Sequence, residues 1–472
     1  MLRIIQNEFA KILHKVSSLV LFIILLLILI GIPVGSKIID SIDFSSSYYQ
    51  DLEQSLEYAK QDSYQDPLYI EQLETAIEIG LTSEEYYGNS WRGRALNQAF
   101  QYRYILADEE LQKNYPKSDV ARMQVWSDAL LKYTKADDWK GYYQASRDIA
   151  VEGAYYSDHA KNVIVNFYNH LIEEEIAPSE SEGMLDTLST YTNTISEYEL
   201  MKAKKAAGET IDNEHYKYYE TYALTSEYAL THPGIEYVFE SDNYYSSASD
   251  RYIFTGDSLN SLQNGTLGFT IICILFLIVA GTIVSNEYSQ GTIKFLLINP
   301  VKRQKIFWGK YTTIIILALG VTLFSFALEF IISGIVYGFH GLTAPLLLIR
   351  DGSLQVKSGL FLVFGLYMAQ FLQLVIAGTI AFMISSWLRN SGLSIALGVL
   401  TYTMGGTVAM LAEALHMDFF RYTIFANLNV PNIVAGIYPF TGMTAGFSAT
   451  VIIIHMILML FIARDAFVRK NV

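Results

Sequence analysis

One cysteine, Cys273, stands among 472 residues. A disulfide framework is excluded, and so is a metal centre built on paired thiolates. None of the eight histidines lies in an H-E-x-x-H pattern. No G-x-x-x-x-G-K-[ST] phosphate loop is present: Gly309-Lys310-Tyr311 lacks the upstream glycine and the hydroxyl residue. ATP binding or hydrolysis by this chain alone is not expected. Gly392-Leu393-Ser394-Ile395 fits the loose G-x-S-x of an intramembrane serine protease, with His416 or His455 as base. In a stretch rich in glycine and serine, four such letters arise by chance. No catalytic, metal-binding or cofactor-binding residue is therefore expected, and the chain reads as a non-enzyme.

Charge is absent over long stretches. Apolar residues make up 51% of the chain and are clustered. A bilayer crossing takes about 20 mainly apolar residues. Six segments qualify: Ser18–Gly35, Gly265–Ser285, Tyr311–Phe339 (interrupted by Glu329), and stretches within Ser358–Leu388, Asn390–Ala412 and Tyr422–Ala463. The last is too long for one straight crossing. Pro431 and Pro439 are expected to break it and leave a span near Thr444–Ala463. The fold class expected is an all-α polytopic membrane protein, with six transmembrane helices and a mainly helical extracytoplasmic domain.

Residues 37–264 hold 40 of the 47 acids and 18 of the 33 basic residues, a net charge of −22, whereas the rest of the chain nets +8. An acidic soluble domain is thus inserted into a basic membrane protein. Short cytoplasmic loops are enriched in Lys and Arg. Arg3, Lys11 and Lys15 precede the first span, and Lys294, Lys302, Arg303, Lys305 and Lys310 lie between the second and third. Arg389 separates the fourth and fifth, and Arg464, Arg469 and Lys470 follow the sixth. A multi-pass cell-membrane protein is expected, with both termini cytoplasmic and residues 37–264 outside. An outer domain without disulfides suits a bacterial surface. The alternative, a cleaved signal peptide at the first run, lacks a small-x-small pattern after Pro33 and would leave an odd number of spans.

Residues 1–16 form an amphipathic pattern. Leu2, Ile5, Phe9, Ile12 or Leu13, and Val16 face one way, and Arg3, Asn7, Lys11 and Lys15 the other. Such a helix suits the headgroup layer. In the acidic domain, helical periods run through Val120, Met123, Trp126, Leu130 and Tyr133. They recur through Ala160, Val163, Ile164, Phe167 and Leu171, and again through Leu185, Leu188, Tyr191, Ile195 and Tyr198. Prolines 67, 116, 178 and 233 fall between these runs. An extended stretch is expected only near Ile235–Phe239. The domain holds 27 of the 34 tyrosines. They serve core packing or, alternatively, an aromatic and acidic surface for a cationic amphipathic peptide.

The most specific segment is Asn286–Tyr311, NEYSQGTIKFLLINPVKRQKIFWGKY. Its Glu287, Gly291-Thr292, Leu296-Leu297, Pro300, Arg303 and Lys310 stand in an order that resembles the cytoplasmic loop of ABC-2 type transporter permeases. The apolar Phe295-Leu296-Leu297 patch inside a basic loop marks a contact surface. The resemblance implies that loop 286–310 holds a coupling helix that docks on a separate ATPase, with ATP and Mg on that partner. It further implies two ATPase copies, a second permease copy or paralogue, surrounding membrane lipid, and no nucleic acid. It reads residues 1–16 as an elbow helix, 18–36 as the first span and 265–464 as the remaining five. An outer re-entrant segment is expected at 413–443 and a cytoplasmic tail at 465–472. The exported substrate expected is an amphipathic peptide or lipophilic antimicrobial compound. The alternatives are an ion-extruding permease of the same family and a membrane-anchored receptor or sensor. Within the spans, Glu329, Gln370 and Gln373 are polar candidates for a path or helix contact.

Overall fold

The structure, a computed structural model, describes residues 1–41, 51–61, 66–88, 90–179, 181–232, 244–246, 250–254, 257–291, 302–350, 352–434 and 438–469. It is 81% helical. Six helices are long and apolar enough to cross a membrane: Val16–Ile39, Ser261–Thr282, Arg303–Tyr337, Gly359–Leu388, Ser391–Ala414 and Ala445–Val468. The all-α polytopic architecture expected from the apolar runs is therefore the observed one. The sixth span begins after the Pro431 and Pro439 region, as those prolines require.

The chain divides into two compact units, Met1–Ser41 with Glu240–Val472, and Ile42–Phe239. Residues 240–264, grouped by sequence with the acidic domain, thus belong with the spans. The reason is a small antiparallel sheet in the order β1-β2-β3-β4, made of Tyr244–Ser246, Asp250–Phe254, Pro345–Arg350 and Ser353–Ser358. Its middle pair joins Ile253 to Leu347 across the segments that precede the second span and follow the third. The sheet has no alternating signature because β3 is apolar on both faces: Leu346, Leu347, Leu348 and Ile349 are all buried. Pro345 takes the first position of β3, where its missing N–H does least harm. The expected extended stretch at 235–239 lies outside the described residues.

Local signals set the span ends. Ser358 accepts from Phe361 N, Asn390 from Leu393 N and Thr444 from Phe447 N, capping the fourth, fifth and sixth spans. The membrane unit packs around the second, third and fourth spans, with Phe276, Ile314, Ala377 and Phe382 buried together. Gly378 lets these three approach: a Cβ there would stand 2.8 Å from Ile314 Cγ2 and 2.9 Å from Phe276 Cε1.

The acidic unit is a helical bundle. Its expected stripes appear as the helices Met123–Lys135, Asp158–Glu173 and Glu182–Ala206, which bury Leu130, Leu171 and Tyr191 respectively. Part of its acidity has a structural use, because Asp66, Asp108, Asp138 and Asp212 cap helix N-termini.

Gly378→Val should destabilise the protein by about 1–3 kcal/mol through overpacking, read as a lower thermal midpoint in lipid nanodiscs. Gly365→Val, on the same helix with nothing within 4 Å, should leave the midpoint unchanged. Equal effects would contradict this packing.

Candidate functional site: a buried charge cluster beneath the spans

The helix Leu2–Leu13 carries Ile4, Glu8 and Ile12 four residues apart, hence on one face. That face packs most closely; of the apolar stripe read from the sequence, Ile12 shares it and Ile5 and Phe9 are half-buried. Glu8 and Ile12 are buried, while Leu2, Leu13 and Val16 stay exposed. Ile4 lies over Gly309, where a Cβ would come within 2.6 Å of Ile4 Cγ2. The missing side chain lets the N-terminal helix reach the third span one residue before Lys310.

Lys310 is fully buried. Its ammonium donates to Glu8 Oε2 at 2.8 Å and to Ile283 O at 3.0 Å, and pairs with Glu287 Oε1 at 2.8 Å. Three donors thus meet three acceptors. Lys11, half exposed, bridges the same two acids, at 2.9 Å to Glu8 and 2.7 Å to Glu287. The cluster is neutral: two carboxylates and two ammoniums. It ties the N-terminal helix, the end of the second span and the start of the third into one joint. Burial pulls the Lys11 pKa down, but bonding and attraction to Glu287 and Glu8 outweigh it, so the value rises above 10.5. The resulting stabilisation is full below the ordinary lysine value and fades as pH climbs through the raised one. Lys15, next along the helix, is shifted down, chiefly by burial.

Around this joint the helix ends are fastened by short polar contacts. Ser285 N donates to Ser385 Oγ at 2.9 Å, and Ser391 Oγ donates to Asn286 Oδ1 at 2.7 Å. Arg389 lies 4.4 Å over the Tyr288 ring and reaches Ala466 O. Arg303 reaches Val468 O. Both guanidiniums thus meet the carbonyl end of the sixth span, where the helix dipole favours cations. Gly291, at φ 68°, turns the chain out in the left-handed region that glycine tolerates.

Of the expected coupling residues, Glu287 and Lys310 therefore meet directly, and Gly291 and Arg303 stand at the two described ends of the loop. Thr292, Phe295, Leu296, Leu297 and Pro300 lie outside the described residues. Glu8 was missed by the sequence reading, although an acid four residues from two isoleucines on one helix face was the available signal. Glu329 is fully buried, and neither carboxylate oxygen has a hydrogen-bond partner among the described residues. It lies by Tyr367 and by Gly265, whose absent Cβ would stand 2.8 Å from Glu329 Cδ. Gln370 is buried, and Gln373 does not share its environment: it donates to Tyr402 on the fifth span. The described residues of 413–443 include 3-10 turns at Asp418–Tyr422 and Phe425–Asn427 and a short helix at Val430–Val434. Phe440 and Met443 pack there against Ala412 and Ala426.

The family model described as protein of unknown function (DUF2705) matches residues 229–472. The chain belongs to that family. Two relatives come from Bacillus subtilis (strain 168). The uncharacterized protein YhcI is 31% identical over 221 residues, 46% of this chain and 70% of its own length. The uncharacterized membrane protein YdbK is 30% identical over 201 residues, 42% of this chain and 76% of its own. Both are thus shorter than this DUF2705 chain. No solved structure matches it. With six candidate spans and a membrane-protein relative, it is a multi-pass membrane protein.

Removing one member of a buried pair strands its partner at a cost of about 3–5 kcal/mol. Lys310→Met should lower the thermal midpoint strongly. Adding Glu8→Gln should recover part of the loss, so the double variant is less unstable than the two single effects summed. Strict additivity would contradict the joint.

Proposed function

We propose that this protein is the permease subunit of an ATP-driven ABC-2 type exporter that works with a separate ATPase. The observation that carries the reading is the neutral Glu8–Lys11–Glu287–Lys310 joint. It holds both ends of loop 286–310 and the N-terminal helix as one body. A loop fixed at its roots, with an apolar Phe295-Leu296-Leu297 patch, suits receiving a push from a motor and passing it to the spans. On this reading Thr292 and Pro300 belong to the docking segment. Arg303 holds its exit to the sixth span, and two ATPases serve a pair of permeases. Both termini and loop 286–310 face the cytoplasm, and the acidic unit faces outward. The exported compound is an amphipathic peptide or lipophilic antimicrobial, drawn toward the membrane by the acidic unit's charge.

Tagged full-length chain purified from its bacterial host should carry ATPase activity, and Leu296→Asp should lose it while still inserting in the membrane. Activity unaffected by Leu296→Asp would contradict the coupling role. Absence of ATPase activity from the purified full-length chain would favour the receptor alternative, which needs no motor.

The orientation has its own check. Glu209→Cys lies on an exposed segment and should react with an impermeant thiol reagent on intact cells, whereas exposed Lys305→Cys should react only after lysis. Native Cys273 is buried and gives little background. The reverse pattern would invert the assignment.

A further inference from the structure

The acidic unit contains a cavity of about 610 Å³ between the helices Trp91–Ala107 and Glu182–Ala206. Pockets for drug-sized ligands run to about 300–1,000 Å³. Two helix faces that could have closed on each other with apolar stripes carry polar residues instead. Asn97, Gln98 and Gln101 lie on one, and Ser189, Thr192 and Asn193 on the other. Each set falls at helical spacing, so each is one face. Gln101 and Asn193 are exposed and make no side-chain hydrogen bond among the described residues. The floor is aromatic: Trp126, Tyr142 and Tyr168 are buried there, and Tyr102 lies 5.6 Å from the Trp126 ring. At the mouth, the Tyr115 and Tyr155 rings stand 5.2 Å apart.

The lining holds two charged side chains, Arg94 and Asp119, and both are already engaged by the protein. The Arg94 guanidinium is engaged by Asp186 and Leu185 O. Both Asp119 oxygens accept from Ala154 N at 2.8 Å, and one accepts from Ser118. Burial raises the pKa of the Tyr142 and Tyr168 phenols and pushes Tyr102 up to about 12. A cationic peptide would meet one carboxylate here, Asp119, which is buried and already accepts from Ala154 N and Ser118. An uncharged ligand with hydroxyls on its edges and an apolar C–H face fits each feature. Carboxamides donate and accept at once, as neighbouring hydroxyls require. Aromatic faces are electron-rich and take the C–H surface.

We propose that this cavity is a saccharide-binding site, sized for two or three sugar rings. The proposal does not depend on the transport reading. Full-length protein in lipid nanodiscs, free of glycoside detergents, is titrated calorimetrically with maltotriose, with chitotriose and with an 18-residue Lys/Leu amphipathic peptide. At least one trisaccharide should bind with a Kd below about 1 mM. Raising salt from about 50 to 500 mM should leave that affinity unchanged, because no charge pairing is involved. The double substitution Gln101→Ala with Asn193→Ala should weaken it tenfold or more. Both positions are exposed, and an unchanged circular dichroism spectrum checks the fold. Failure of both trisaccharides to bind at about 10 mM would overturn the site. So would binding untouched by the double substitution, or salt-sensitive binding of the peptide alone.

Discussion

Lys310 is the residue on which the membrane unit depends. A lysine with no exposed surface is tolerable only when its charge is neutralised and its three protons are placed. Glu8 and Glu287 supply the charge, and the Ile283 carbonyl takes the remaining proton. The acids come from elements 302 and 23 residues away in sequence. Satisfying one ammonium therefore fixes three chain segments together. Lys11 completes the neutrality from the half-exposed side. The N-terminal helix is thereby a structural part of the membrane unit. Its leftover apolar stripe, with Leu2, Leu13 and Val16 exposed, remains available to lipid.

The remaining helix-end contacts repeat this logic more weakly. Arg303 and Arg389 approach the last carbonyls of the sixth span, and serines 285, 385 and 391 join the second, fourth and fifth. At the opposite end of the third span, the link is made by backbone pairing through β2 and β3 and by Ser258 donating to Gly338 O. The helix Asp257–Asn264 brings Ser261 against Ser333 at 3.2 Å, and Tyr367 donates to Leu262 O. Glu329 lies beside Gly265, at the end of that helix, with both carboxylate oxygens buried.

How much of this the sequence disclosed follows from the range of each interaction. Six apolar runs and the helical stripes of the acidic unit are local, and they were legible in composition and period alone. The capping residues Ser358 and Asn390 are local signals of the same kind. Glu287 and Lys310 were marked by their order in a motif, but Glu8 pairs with a residue 302 positions away, and its place between Ile4 and Ile12 marks a buried face without naming the partner. The sheet was hidden for another reason: Leu346 to Ile349 is buried on both faces, so its period of two is erased and the run reads as plain apolar chain. The cavity was also obscured. The 27 tyrosines signalled an aromatic unit. Which of them line a cavity depends on two polar helix faces that meet only in three dimensions.

The central claim is that the charge cluster makes the N-terminal helix and the roots of loop 286–310 a single mechanical element. Hydrogen–deuterium exchange on the full chain in nanodiscs, comparing the native protein with Lys310→Met, tests it most directly. Exchange should rise together in residues 2–13 and 283–291 as the joint opens. Faster exchange confined to residues 303–313, with the N-terminal helix still protected, would mean that the helix is held by its Ile4 and Ile12 packing alone and would contradict the account.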